Sequence, residues 1–301
     1  MTSWPQGVQL IERNWLSSNQ ILLQDAEQAC LIDTGYHTHD SQTLALLQHS
    51  LAGSGLQHLL MTHLHSDHCG GNAILQQHYD CTTWIPAAYA EAVASWDEEV
   101  LSFAATGQRC PRFAYDQVLI PGQTLQLAGR AWQVLAAPGH EPRAVMFFEP
   151  DQRILISGDA LWENGFGVIF PELDGASGFA EQASLLEYIA ELAPRWVLPG
   201  HGRAFDEVGA ALQKAQARLD YFRSNPERHV RYAVKALLMF IVLEQRRISE
   251  ADLLARLQAT SVISACARQL NCDNAGLLQQ MADELVAAGQ LQHRPGQEYY
   301  L

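Results

Sequence analysis

The densest chemistry in this 301-residue chain lies in one short run, Thr62-His63-Leu64-His65-Ser66-Asp67-His68-Cys69-Gly70-Gly71. Imidazole nitrogens and a carboxylate crowded in this way suit zinc and other first-row divalent ions. His63 and His65, two apart, point the same way if the backbone is extended, while Asp67 and His68, after a turn, face a second point a few Å on. For this run alone, a polar loop whose histidines cap a helix or face water is the alternative. Three further runs, Pro138-Gly139-His140, Ser157-Gly158-Asp159-Ala160 and Pro199-Gly200-His201-Gly202, each put one donor beside a glycine after an apolar stretch. Each taken singly reads as an ordinary turn. Together with the first run they supply seven nitrogen or oxygen donors, more than one tetrahedral ion takes and enough for two ions with positions left for water. Two divalent ions about 3.5–4 Å apart share a hydroxide and lower the pKa of water to about 7, so hydrolysis needs no Ser or Cys nucleophile. The same ions polarise a carbonyl or phosphoryl oxygen, and a carboxylate such as Asp67 handles the proton.

Elements that would hold these donors can be read along the chain. Val8–Glu12, Gln20–Gln24 and Ala29–Gly35 read as a short β-meander, and Leu44, Leu47 and Leu51 mark a helix from about Ser41 that Gly53-Ser54-Gly55 stops. His58–Thr62 is the strand that feeds the histidine run. Further strands are expected at 81–85, 124–127, 131–135, 144–148, 153–157 and 195–198, with helices at 71–78, 87–96 and 179–192. Sheets packed between helical layers follow from this alternation. After Gly202 strand signals give way to helices over 206–224, 229–244 and 249–257, with a boundary at Asn225-Pro226. A last helix over 274–288 precedes two short β-like pieces, 291–293 and 298–300, around Pro295-Gly296, which together look like a winged-helix module. The expected units are therefore a catalytic domain over 1–224 and a helical, winged-helix-like domain over 225–301.

Composition narrows the classes. Hydrophobic residues make up 48% and charged residues 17%, enough apolar material for a packed core. A net charge of −14 repels polyanions and anionic membrane surfaces. The N-terminal residues lack a basic stretch followed by an apolar one, and the apolar run Ala236–Leu243 falls far short of the roughly 20 residues of a membrane span. A cytoplasmic protein without membrane attachment is expected. Cys30, Cys69, Cys81, Cys110, Cys266 and Cys272 form no C-x-x-C pair, which fits a reducing compartment and argues against a Cys nucleophile.

In its motifs the chain resembles the metallo-β-lactamase superfamily, whose H-x-H-x-D-H signature with separate downstream His, Asp and His is complete and in order over about residues 5–205. The resemblance implies an α/β fold, an αββα sandwich with the site at one edge. It implies that His63, His65 and His140 hold one metal, that Asp67, His68 and His201 hold the other, and that Asp159 bridges them. Two divalent ions are the implied cofactors, zinc by default, with iron or manganese able to replace it. Asp33, in Ile32-Asp33-Thr34-Gly35, matches a family carboxylate that orients the ligand loop, with a simple turn Asp as the other reading. The pairing of Asp67 with His68 resembles the glyoxalase II-like branch, which hydrolyses thioesters. The expected function is hydrolysis of a small-molecule acyl thioester or related ester, with Asp67 as the catalytic residue. Where many relatives read His-Thr-Pro-Gly after the third ligand, this chain reads His140-Glu141-Pro142-Arg143, which brings Glu141 and Arg143 near the site.

Two aromatic stretches could wall the substrate or form core: 86–115, with Tyr89, Trp96, Phe103 and Phe113, and 161–179, with Trp162, Phe166 and Phe170. Arg109 and Arg112 could grip an anionic carrier or simply face solvent. The C-terminal module also resembles the beta-lactamase-like protein 2 group, in which a winged helix follows the lactamase domain and single-stranded RNA is cut. Against a nucleic-acid partner stand the net charge and the 274–288 helix, which carries Asp283 and Glu284 and no Lys or Arg, although Arg223, Arg228, Arg231 and Lys235 form a small basic cluster. The module is expected to wall the pocket or make a homodimer contact. A ribonuclease or phosphodiesterase, a lactonase and a metal-free, non-catalytic regulator are the other readings.

Overall fold

The computed structural model describes residues 4–294 and 296–301. Met1–Ser3, at the start read for a targeting segment, and Pro295, in the turn expected between the last two strands, lie outside the described residues. One sheet runs β1 (Val8–Ile11), β2 (Gln20–Gln24), β3 (Ala29–Ile32), β4 (His58–Leu60), β5 (Thr82–Pro86) and β6 (Gln117–Leu119), each beside the next. Its pairings are antiparallel from β1 to β3 and parallel from β3 to β6. A second sheet places β7 (Thr124–Leu127), β8 (Arg130–Ala136), β9 (Val145–Glu149), β10 (Ile154–Gly158) and β11 (Trp196–Pro199) side by side, with only β10 and β11 parallel.

Strand periodicity explains the layers. Successive side chains point to opposite faces, and these strands are apolar on both. Ile21, Leu23, Cys30 and Ile32 of the first sheet share a core with Phe147, Ile154 and Ile156 of the second. The intervening Leu22 and Leu31 instead meet Leu47 and Leu51 of α1 (Asp40–Leu51). That outer layer also draws on α2 (Ser66–Cys69), α3 (Asn72–His78), α4 (Ala90–Ser95) and α5 (Phe103–Thr106). On the far side, Met146, Phe148 and Leu155 meet α7 (Phe179–Leu192) and α8 (Val208–Ser224), which follow the single turn α6 (Phe170–Leu173). The result is the expected αββα sandwich.

Only Asn225 separates α8 from α9 (Pro226–Gln245), whose first residue is a proline, fitted to a helix start by its fixed φ and missing N–H. α10 (Glu250–Leu257), α11 (Ser261–Gln269) and α12 (Asn274–Ala287) are N-capped by the side chains of Ser249, Thr260 and Asp273. The apolar faces of α9–α12 form a separate core that also takes in Leu16, Tyr36 and Leu173 from the sandwich. Polar contacts seat the same unit: Tyr36 Oη donates to Glu244 at 3.0 Å, Glu244 pairs with Arg256, and Arg256 Nε donates to the Gly107 carbonyl at 2.7 Å. The last two strands, β13 (Gln292–Arg294) and β14 (Glu298–Tyr300), pair as the expected hairpin. Strand structure does not end at Gly202, however: β12 (Arg247–Ser249) pairs with β14. Arg247-Ile248-Ser249 buries one residue between polar ones and Gln117-Val118-Leu119 buries only its last, so neither carries a strand signal in sequence.

Candidate metal centre

All seven expected donors come from segments that follow strands, five of them from loops and Asp67 and His68 from the single turn of α2. The 63–68 run leaves β4, His140 lies between β8 and β9, Asp159 follows β10, and His201 follows β11. Asp33 closes β3 with φ of +60°, a conformation costly for a non-glycine residue. It is held there by function-bearing bonds: Oδ1 accepts from the Thr62 N–H at 2.8 Å, and Oδ2 accepts from Thr62 Oγ1 and His68 Nδ1, both at 2.8 Å. The loops approach so closely that glycine is required. A Cβ at Gly200 would stand 2.4 Å from Asp159 Oδ1, and one at Gly167 would stand 2.4 Å from His140 Nδ1.

The side chains converge in three overlapping groups, His63, His65 and His140; His63, His68 and Asp159; and Asp67, His68 and His201, each with donor atoms within 4.8 Å of one another. His65 Nδ1 lies 3.0 Å from His63 Nε2 and 2.8 Å from His140 Nε2. His201 Nε2 is 3.2 Å from Asp67 Oδ2. Asp159 lies between the two sets: Oδ1 is 3.3 Å from His68 Nε2 and 3.8 Å from His201 Nε2, while Oδ2 is 3.5 Å from His140 Nε2.

This donor set demands positive charge. Val168 O can only accept, so His140 Nδ1 donates to it, and His68 Nδ1 donates to Asp33; in the neutral ring each Nε2 is then left with a lone pair. His68 Nε2 is buried without a hydrogen-bond partner. Lone pairs and carboxylate oxygens facing one another in a dry interior repel unless a cation stands among them, and nitrogen with carboxylate oxygen fits first-row divalent ions. Burial lowers His63 well below the usual imidazole range, helped by His68, His65 and His140. Burial also lowers His65, to about 3, and His140, which keeps these rings in the neutral, metal-binding form. At His68 burial acts the same way but is outweighed by Asp159, Asp33 and Asp67, which raise it. Burial opposes ionisation of Asp67 and Asp159, yet the neighbouring imidazoles of His68 and His201 hold both below the ordinary carboxylate range.

Comparison with known proteins agrees with this arrangement. The family model described as Metallo-beta-lactamase superfamily matches residues 13–201. The chain belongs to that superfamily. It is 26% identical over 157 residues to hydroxyacylglutathione hydrolase GloC of Haemophilus influenzae, covering 49% of this chain and 68% of that one. It is 27% identical over 226 residues to the human acyl-coenzyme A thioesterase MBLAC2, covering 64% of this chain and 77% of the relative. The crystal structure of a metallo-beta-lactamase family protein from Thermus thermophilus superposes with a TM-score of 0.54 at 20% identity, over 98% of each chain. That likeness of fold extends through the C-terminal helices.

A cavity opens directly over this cluster of imidazoles and carboxylates. His65, Asp67, His140, Asp159 and His201 form its floor, and its walls come from four places: Trp15, the α5 region with Thr106 and Gln108, the Trp162–Phe170 segment, and α9. Of the two aromatic stretches, only the second contributes aromatic wall, through Trp162 and Phe170; Tyr89, Trp96, Phe103 and Phe113 pack into core. Glu141 and Arg143 lie behind the site: Glu141 Oε2 stands 3.7 Å from His65 Nε2, and Arg143 Nη1 donates to Val100 O at 2.8 Å. Neither Arg109 nor Arg112 lines the cavity among the described residues.

Sequence reading misses three supports. Asn19 Nδ2 donates to the carbonyls of Pro199 and Gly202 at 3.0 and 2.7 Å, fixing the His201 loop. Gly167–Phe170 wraps His140, with the Phe170 N–H on its carbonyl at 3.2 Å. From α9, buried His229 accepts the Ile169 N–H through Nε2 at 3.2 Å, so a C-terminal helix steadies the stretch of backbone that orients His140. Polar residues distant in sequence and backbone carbonyls carry no motif by which to find them.

Proposed function

We propose that the chain is a dinuclear metal-dependent hydrolase acting on a small-molecule acyl thioester or related ester. His63, His65 and His140 would hold one divalent ion and Asp67, His68 and His201 the other, with Asp159 offering one oxygen to each group and zinc as the first candidate metal. When bound, the ions supply a Lewis acid for the carbonyl and bring the pKa of water toward about 7. Asp67, whose side chain is 15% exposed and lines the cavity, is placed to take the proton of the attacking water. His201, 3.2 Å from Asp67, and Asp33, behind His68, hold the donors in place. The aromatic walls exclude bulk water and suit an apolar acyl group.

The observation that carries this reading is the division of the Asp159 oxygens between two histidine groups at the floor of a largely apolar cavity. The named activities of the two relatives, a hydroxyacylglutathione hydrolase and an acyl-coenzyme A thioesterase, support the choice of substrate. Nucleic acid is disfavoured by the net charge of −14 and by Glu284, which pairs with Arg231 and Lys235 of the basic cluster. No described helix is long and apolar enough to cross a membrane. The test is a screen of zinc-loaded protein against acyl thioesters, lactones, a chromogenic β-lactam, a phosphodiester and single-stranded RNA, with and without chelator. Thioester or ester cleavage should dominate and stop with chelator. RNA cleavage that outpaces it, with steep salt dependence, would overturn the reading.

A further inference from the structure

We infer that α9 makes this hydrolase, if the reading above holds, selective for short, uncharged acyl groups and indifferent to the charge of the thiol or alcohol that carries them. Tyr232, Ala233, Ala236, Leu237 and Phe240 line the cavity and share one face of α9, being spaced by one, three, one and three residues. The α9 wall is closed to solvent: Leu237 is 4% exposed and Phe240 5%, whereas Trp15, which also lines the cavity, is 41% exposed. The space itself is small, about 60 Å³. An apolar cavity of about 150 Å³ holds benzene, so this one takes a chain of only a few carbons. A carrier as large as glutathione or coenzyme A cannot enter and must project past Trp15.

Charge points the same way. Among the described residues, no Lys or Arg lines the cavity. The nearby arginines are occupied elsewhere: Arg218 lies over the Tyr232 ring at 4.5 Å and Arg112 Nη2 donates to Ala94 O at 3.3 Å. Arg109, exposed and next to the lining residue Gln108, and Arg246, exposed and beside Trp15 in an adjoining cavity, both stand in solvent, where water and salt screen their pull on a carrier. A carboxylate at the far end of the acyl chain would be stripped of water against the apolar wall of α9, with no side-chain cation among the lining residues to pair with.

The experiment uses the zinc-loaded full chain and measures kcat/KM for acetyl, butyryl, octanoyl and succinyl thioesters, each on neutral N-acetylcysteamine and on coenzyme A. Butyryl should exceed octanoyl and succinyl at least tenfold, and the two carriers should agree within threefold, with Arg109→Ala changing neither. Ala236→Leu, which fills the cavity from α9, should lower butyryl turnover at least tenfold with metal content unchanged. Leu237→Ala should raise octanoyl relative to butyryl. A preference for octanoyl that Ala236→Leu leaves intact would overturn the inference, as would a tenfold Arg109-dependent preference for coenzyme A. Cleavage of phosphodiesters and of no acyl ester would remove the functional reading and this inference together; ester cleavage with the wrong selectivity removes the inference alone.

Discussion

The His63, His65 and His140 half of the centre differs from the Asp67, His68 and His201 half in what holds it and in what it faces. In the first half every donor is an imidazole, at most 7% exposed. Two outward nitrogens are hydrogen-bonded from behind, His140's to Val168 O and His63's to Thr62 Oγ1 at 3.1 Å, while His65 Nε2 faces Glu141 across 3.7 Å without a hydrogen bond. In the second half only His68 is tied down, by Asp33. Asp67 and His201 open on the cavity, and the His201 ring stands 5.3 Å from both Trp15 and Trp162. The first half is therefore all imidazole and neutral, while the second adds the Asp67 carboxylate and stands against the two tryptophans.

The comparison can be broken most severely at Asp159, the residue common to both halves. Asp159→Ala should lower kcat by at least ~10³-fold and bring metal content below one ion per chain, measured by elemental analysis and a thioester assay. Full metal content with full activity would show that the halves do not share it.

A smaller effect is expected from His229→Ala, which reaches only the first half, through Ile169 and Val168. It leaves a buried N–H unpaired, at a cost of about 1–3 kcal/mol in stability, and should weaken one of two metal sites by up to ~10-fold in chelator competition while the other is unchanged. His229 also gives a pH signature. Burial, with help from Arg218, lowers it from 6.5 to about 4. Between those values the unfolded chain takes up a proton that the folded chain refuses, so stability falls as pH drops through this window. The loss is on the order of 3 kcal/mol, and denaturant titrations should show a shallower pH slope in His229→Ala.

The smallest effect belongs to Cys69, which adjoins His68 but serves neither half. Its Sγ is fully buried against the Leu64 carbonyl at 3.5 Å and Cys110 Sγ at 3.7 Å, and burial, then Cys110, raises the thiol well above its usual range. Cys69→Ala should keep two metals and activity within about threefold, whereas loss of activity with full metal would make Cys69 the nucleophile.

The site was more legible than its surroundings, for a physical reason. Four donors lie within one six-residue run and each of the others sits beside a glycine at a strand end, so local sequence carries the pattern. The sandwich was legible because Ile21, Leu22 and Leu23, or Ile154, Leu155 and Ile156, are apolar on both faces, as strands between two layers must be. α11 escaped notice because Ser261-Val262-Ile263-Ser264 is made of weak helix formers, and β12 because it buries a single residue, Ile248, between polar neighbours. The substrate wall was hidden because it is tertiary: Ala233 and Ala236 look like any helix interior, and Trp96 and Trp162 look alike in composition, yet one is packed beside core and the other lines the cavity.

Metal stoichiometry tests the central claim most directly. Protein purified without chelator, loaded with zinc and desalted should contain close to two ions per chain, and stepwise chelation should remove them in two phases, because two sets of donors meet at Asp159. Protein that never holds more than one ion after loading would contradict the dinuclear account.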